Sequence, residues 1–199
     1  MSRTEAAARA GTERAMRADA RRNYERLLSA AVATFAEHGA DTASLEEIAR
    51  RAGVGIGTLY RHFPTRQDLL EAVYTDQVAA LRDRAAELMR TEPAAAALAD
   101  WLRALMAFGS TKRSLTTALL QTLDKDSELL SSCGAILRES TTELLERAQR
   151  AGTARTDVTG TDVLRLAHGV SMAADWAPGD PGQADRMLTM VIDGLLTAG

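Results

Sequence analysis

The chain is poor in the residues that build disulfides, strands and membrane spans. Cys133 is the only cysteine in 199 residues. No intrachain disulfide can form, and the thiol reads as a reduced, buried core residue, with redox sensing as the minor alternative. Aromatic residues make up 4% of the chain, and the β-branched residues that favour strands are scarce. No apolar run approaches the roughly 18 residues that span a bilayer. Met1 to Ala20 has no apolar h-region, which argues against a secretory signal, and Glu5, Glu13 and Asp19 argue against a mitochondrial-type leader. A cytoplasmic address is therefore expected. The three histidines (His38, His62, His168) are scattered, and no HExxH, CxxC or phosphate-cradling glycine loop occurs. No metal site, no cofactor and no enzyme are expected.

What is present points to helices. Apolar residues account for 46% of the chain, enough to bury a core. Ala and Leu, both strong helix formers, carry most of it. The length suits one or two compact domains. Net charge is −3, which by itself does not advertise nucleic-acid binding. Its distribution is more informative. Residues 1–66 hold eleven arginines against eight acidic residues, and the remainder is acidic. A mildly basic head on an acidic body directs one end toward phosphates. The near absence of lysine (two, against 22 arginines) carries no mechanistic weight.

Residues 1–18 show no sustained apolar stripe and read as a flexible arm, whose Arg3, Arg9, Arg14 and Arg17 either reach DNA or stay solvated. Helical spacing begins with Tyr24, Leu27, Leu28, Ala31, Val32 and Phe35, and Gly39 stops it. Ser44 with Glu47 forms a capping box for a short helix over Leu45 to Ala52. Gly53 ends that helix by permitting a left-handed turn, and Val54 plugs the turn. A second short helix covers about Gly55 to His62, and Pro64 breaks it. Thr65 and Asp68 repeat the capping pattern at the start of a long helix reaching about Arg90. Four or five further helices follow. One carries Leu98, Trp101, Leu102, Leu105 and Phe108; a separate one carries Leu115 to Leu123. A longer one runs from Leu129 to Ala148 and stops at Gly152. The next spans Val163 to Met172, and the last starts at Asp180-Pro181.

A capped helix, a glycine turn, a second short helix and a proline stop are the layout of a helix-turn-helix, whose second helix enters the major groove. The same pattern also fits a plain helical hairpin. The detailed string AEHGADTASLEEIARRAGVGIGTLYRHFPTRQDLLEAV closely resembles the DNA-binding head of the TetR family. The resemblance rests on Thr42, Ile48-Ala49, Ala52-Gly53-Val54, Gly57-Thr58-Leu59-Tyr60, His62-Phe63, Arg66 and Leu69-Leu70, and covers roughly residues 20–75. It implies an all-α protein: a three-helix head over residues 19–66 and a helical ligand-binding and dimerisation body over 67–199.

The resemblance also implies roles. Thr42 and Ser44 start the first short helix, where hydroxyls and amides meet a phosphate. Gly55, Ile56, Gly57, Thr58, Tyr60, Arg61 and His62 occupy the DNA-facing positions of the recognition helix. Tyr60, His62 and Arg66 are phosphate partners, and Thr58 bonds a phosphate or a base edge. Ile56, at a position often Lys or Gln in such proteins, has only a thymine methyl to pack on. Arg61 reads guanine or holds a phosphate. Arg50 and Arg51 face either DNA or solvent, and Arg21 and Arg22 lie near the first helix start. Leu59 and Phe63 are core.

The body lacks a sharp motif. Trp101, Met106, Phe108, Leu119, Leu123, Cys133, Leu137, Met172 and Trp176 are candidate pocket residues, because Met and aromatic side chains suit adaptable apolar cavities. Plain core is the competing account of each. Gln121, Ser140, His168 and Asp175 are polar groups that would orient a ligand. The candidate dimer interface is the last two helices, with Leu164, Val170, Leu188, Val191, Ile192, Leu195 and Leu196. The expected function is a repressor acting as a homodimer on double-stranded DNA with a palindromic operator, released by a small, largely apolar inducer. The alternative is a ligand-independent activator or architectural DNA-binding protein.

Overall fold

The computed structural model describes residues 3–122, 127–174, 180 and 182–197. Among them run eight helices: α1 Arg3–His38, α2 Leu45–Arg51, α3 Ile56–His62, α4 Arg66–Thr91, α5 Ala94–Thr122, α6 Glu128–Arg150, α7 Gly160–Ala174 and α8 Gln183–Leu195. The all-α reading holds.

The head is α1 to α3 with the start of α4. Gly39 and Gly53 end α1 and α2 at φ of 82° and 65°, conformations that side chains with a Cβ rarely adopt. Leu27, Ala31 and Phe35 of α1, Ile48 and Ala49 of α2, Leu59 of α3 and Leu69 and Val73 of α4 close one dry core. Arg51 fixes α2 against α1 by gripping the Glu37 carboxylate at 2.7 and 2.9 Å. That settles its position on the protein rather than on a free outer face.

α4 leads from the head into the body. Its 26 residues span about 39 Å at 1.5 Å per residue. Its N-terminus carries the complete Thr65–Asp68 capping box. At its C-terminus, Arg147 of α6 donates to the carbonyl of Glu92 at 2.7 Å and to that of Leu88 at 3.5 Å. The Glu92 carbonyl lies past the last helical turn, and the Leu88 carbonyl also accepts from the Glu92 N–H at 3.2 Å. α4 packs on α5 and α6, with Leu81, Ala85 and Leu88 buried.

Three expectations about elements need correction. The segment expected as a flexible arm, residues 1–18, is drawn into α1 from Arg3 onward. Its Ala, Arg and Glu content favours helix, and Arg22 pairs with Asp19 and Arg21 with Glu25, each at 2.9 Å. Residues 16–22 are exposed, and a helical segment that covers no core needs no apolar stripe. The two helices expected over 98–108 and 115–123 are one, α5. Gly109, which suggests a break, is a packing glycine: a Cβ there would lie 2.6 Å from Ser171 Oγ on α7. The last helix starts at Gln183 rather than at Asp180-Pro181. Asp180 still serves its start, accepting from the Gly182 amide at 3.0 Å. Pro181 lies outside the described residues.

Candidate DNA-binding site

Ser44 caps α2 and accepts from the Glu47 amide at 3.3 Å. The expected box is only half made. The Ser44 hydroxyl donates to Glu46 at 2.9 Å, while the Glu47 carboxylate turns to Arg50 at 3.4 Å. The Glu46 carboxyl is held below its ordinary value, first by its own backbone amide and then by Ser44. The Thr42 hydroxyl donates to the His38 carbonyl. Each hydroxyl has one hydrogen, so both of these expected phosphate contacts are occupied inside the head. A phosphate would have to draw that hydrogen away.

The turn after α2 closes through Gly53 N–H to Arg50 C=O at 3.1 Å and Val54 N–H to Ala49 C=O at 3.0 Å. Gly55 then caps α3 with its carbonyl, which accepts from Thr58 N–H at 2.8 Å. Leu59 and Phe63 are buried, as expected. Opposite them, Gly55, Ile56, Gly57, Tyr60 and Arg61 are exposed, and Thr58 and His62 are half-buried. Ile56 and Tyr60 are 37% and 46% exposed, unusual for large apolar side chains on so short a helix. His62 stacks inward, with its ring centroid 5.9 Å from Tyr24 and 6.1 Å from Phe63. Tyr24 packs on Phe63 at 5.2 Å. Burial, with Asp76 nearby, raises its phenol above the ordinary value.

Arg66 does not face outward with this group. Its half-buried guanidinium donates to the carbonyl of Ala40 at 2.6 Å and to that of Ala43. The sequence carries its charge but not its direction.

In the body, Trp101, Met106, Leu119, Cys133 and Leu137 are packed in the core, and Phe108 is half-buried against Tyr74, ring centroids 6.3 Å apart. Burial pushes the Tyr74 phenol up to about 12, with Cys133 adding to it. Met172 is 50% exposed on α7. Leu123 and Trp176 lie outside the described residues, as does Asp175. Open grooves run along α4. One of about 350 Å³ lies between α4 and α5, lined by Gln77, Ala80, Leu81, Ala104, Ala107 and Phe108.

The candidate interface residues divide. Val170, Leu188, Ile192 and Leu195 are buried within the protomer, and Leu164, Val191 and Leu196 are half-buried. The large apolar side chains left outside are Leu166 and Met172 on α7 and Met190 on α8, the last 74% exposed. Sequence reasoning missed Leu166 and Met190. Their only signal is an apolar residue standing alone on an otherwise polar helix face. Among the described residues, no cluster of His, Cys, Asp or Glu is placed to hold a metal. No helix there is long and apolar enough to cross a membrane.

A compact head offering a short glycine-flanked helix, joined by one long helix to a helical body, defines a helix-turn-helix DNA-binding protein. The family model for bacterial regulatory proteins of the tetR family matches residues 27–73. The model for the C-terminal domain of SbtR-like transcriptional regulators matches residues 92–197. The chain belongs to the TetR family of DNA-binding transcriptional regulators. Among solved structures, the TetR transcriptional regulator SCO0520 of Streptomyces coelicolor is 36% identical, with 88% of this chain and 99% of that one covered and a TM-score of 0.76. A TetR regulatory protein of Mycobacterium vanbaalenii is 34% identical over 92% and 99%, with a TM-score of 0.72. An HTH-type transcriptional regulator of Staphylococcus aureus is 44% identical over 54 residues. That match spans only 27% of this chain and 29% of the relative.

Proposed function

We propose that this regulator is a cytoplasmic homodimeric repressor, bound to a palindromic operator in double-stranded DNA and released by a small, largely apolar ligand. The observation that carries the reading is the outer face of α3. Ile56, between two glycines, and Tyr60 and Arg61 one turn on stand exposed, with Thr58 and His62 at the edge. Direct base readout is then sparse: a thymine methyl for Ile56 and a guanine edge or phosphate for Arg61. Tyr60 and His62 serve phosphates, and Thr42 and Ser44 join them when their hydroxyls turn outward. One such head has a small footprint. Two heads about 34–36 Å apart would read successive major grooves on one face of the duplex.

Dimerisation is supported by the uncovered apolar side chains of α7 and α8. Leu166, Met172 and Met190 stand exposed on these helices, and Leu164, Val191 and Leu196 are half-buried, which leaves apolar area for a second copy to cover. Ligand entry is supported by the apolar groove between α4 and α5, where a bound molecule touches the helix that leads to the head. A coupling of about 1–3 kcal/mol would weaken operator binding roughly 5- to 150-fold.

The test is fluorescence anisotropy of the purified protein on labelled DNA flanking its own gene, with scrambled competitor and at two salt concentrations. Saturable binding that survives competitor and weakens with salt supports an operator there. A ligand panel on that complex then tests release. If only charged, polar compounds release it, the apolar-ligand reading is wrong. If the gene's reporter output falls when the regulator is deleted, the repressor reading is wrong.

A further inference from the structure

The start of α4 is tied to the helix-turn-helix at two places. α3 reaches it through the short Phe63–Thr65 corner, stiffened by the Thr65–Asp68 capping box, with Thr65 N–H donating to Asp68 at 2.8 Å. α2 shares the buried head core with α4, and the turn that leads into α2 is bonded to α4 by Arg66. That guanidinium holds the carbonyls of Ala40 and Ala43, which flank the turn between α1 and α2. Ala40 and Ala43 are 0% and 1% exposed. Their carbonyls are acceptors in a buried setting, where an unmet polar group is costly. The planar fork of Arg spans two acceptors that a single ammonium covers less well. The next residue along the chain, Ser44, is the cap of α2.

We infer that Arg66 is a positioning residue for DNA binding. It ties the direction of α4 to the start of α2, so that α2 and α3 turn with α4 as one unit, and its charge is spent on the protein rather than on a phosphate. This rests on the head being the DNA-binding part. The wild-type control in the test fails separately if that is untrue.

The experiment uses the full chain and a DNA duplex obtained by random-sequence selection. Arg66→Met and Arg66→Lys are compared with wild type by amide hydrogen exchange in the free protein and by DNA affinity, well below the unfolding temperature. The expected result for Arg66→Met is faster exchange at the Ala43 amide and the first turn of α2, with α5 and α6 unchanged. DNA affinity falls at least about ten-fold, as for loss of a charge-assisted hydrogen bond. Arg66→Lys, whose ammonium covers the two carbonyls less well, recovers only part of either. Lost affinity with unchanged exchange in the free protein means a phosphate contact and overturns the inference. Faster exchange with unchanged affinity means a purely structural brace and also overturns it. If Arg66→Met does not fold, the wild type decides alone. The guanidinium NMR signals of Arg66 keep their shifts and slow exchange on adding DNA if it stays on the carbonyls. A shift toward phosphate-bound values overturns the inference.

Discussion

The indole Nε1–H of Trp101 donates to the Thr141 hydroxyl at 3.0 Å, joining α5 to α6 where both side chains are fully buried. The same hydroxyl donates to the Leu137 carbonyl one turn back along α6, at 2.7 Å. The one polar atom of a large apolar side chain is thus satisfied, and Trp101 is fixed as core. Thr141→Val keeps the shape and removes the acceptor. A buried N–H left without a partner costs about 1–3 kcal/mol, or roughly 2–4 °C of Tm per kcal/mol for a chain of this size. Thermal unfolding followed by circular dichroism measures it. An unchanged Tm would show that the indole finds another partner or water.

Two glycines should respond in opposite ways to alanine. At Gly160, a Cβ would lie 2.2 Å from Thr142 Oγ1 and 2.7 Å from the Thr142 Cα. The backbone atom cannot step aside, so α7 must move off α6. Overpacking of this kind costs about 1–3 kcal/mol. At Gly134, inside α6, a Cβ would meet nothing within 4 Å. Alanine there should stabilise by about 0.5–1 kcal/mol through helix propensity alone. Denaturant titration of both variants checks the pair, and equal effects would contradict the packing seen at Gly160.

Sequence legibility followed the range of the forces involved. The turns at Gly39, Gly53 and Gly152, the cap at Ser44 and the box at Thr65–Asp68 are local chemistry, readable within a few residues. Leu59 and Phe63 were assigned inward through the family resemblance, and both are buried. Direction was not readable where it depends on a distant acceptor. Arg66 finds the Ala40 and Ala43 carbonyls across more than 20 residues of chain, and a backbone carbonyl leaves no mark in sequence. The body misled for a related reason. Strong apolar stripes such as Leu188, Ile192 and Leu195 fold into the protomer first, so an outer surface is built from what remains: Leu166, Met172 and Met190.

The C-terminus should be acid-sensitive. Arg155 N–H donates to the Leu195 carbonyl and Thr197 N–H to the Thr153 carbonyl, at 2.9 and 3.1 Å, stitching the end of the chain to the α6–α7 turn. Arg155 is held there by Asp157, at 2.6 and 2.7 Å. That hydrogen bond to Arg155 lowers the Asp157 pKa from 3.8 to about 2. The folded value lies below the unfolded one. The contribution is therefore present above pH 3.8 and lost as pH falls toward 2. Protection of the Arg155 and Thr197 amides, their exchange relative to an unstructured peptide at the same pH, should fall across that window in wild type. In Asp157→Asn it should already be low at neutral pH and flat with pH. A wild-type profile that is flat between pH 4 and 2 would remove Asp157 from the account.

Gly57 offers the sharpest test of what α3 faces. It lies inside the helix, with open space where a Cβ would stand and no positive φ. Nothing within the chain requires glycine there, and glycine in a helix costs about 0.5–1 kcal/mol against alanine. In the DNA-bound arrangement proposed above, glycine there would allow a close approach of DNA to the helix backbone. Gly57→Ala should make the free protein more stable by about that amount, while its affinity for operator falls several-fold. Urea unfolding and anisotropy on the same preparation measure both. Gain of stability with loss of binding places DNA against the first turn of α3. Gain of stability with full binding would mean that the bare helix start leaves room for a side chain, and that Ile56, Tyr60 and Arg61 hold the groove at a greater distance.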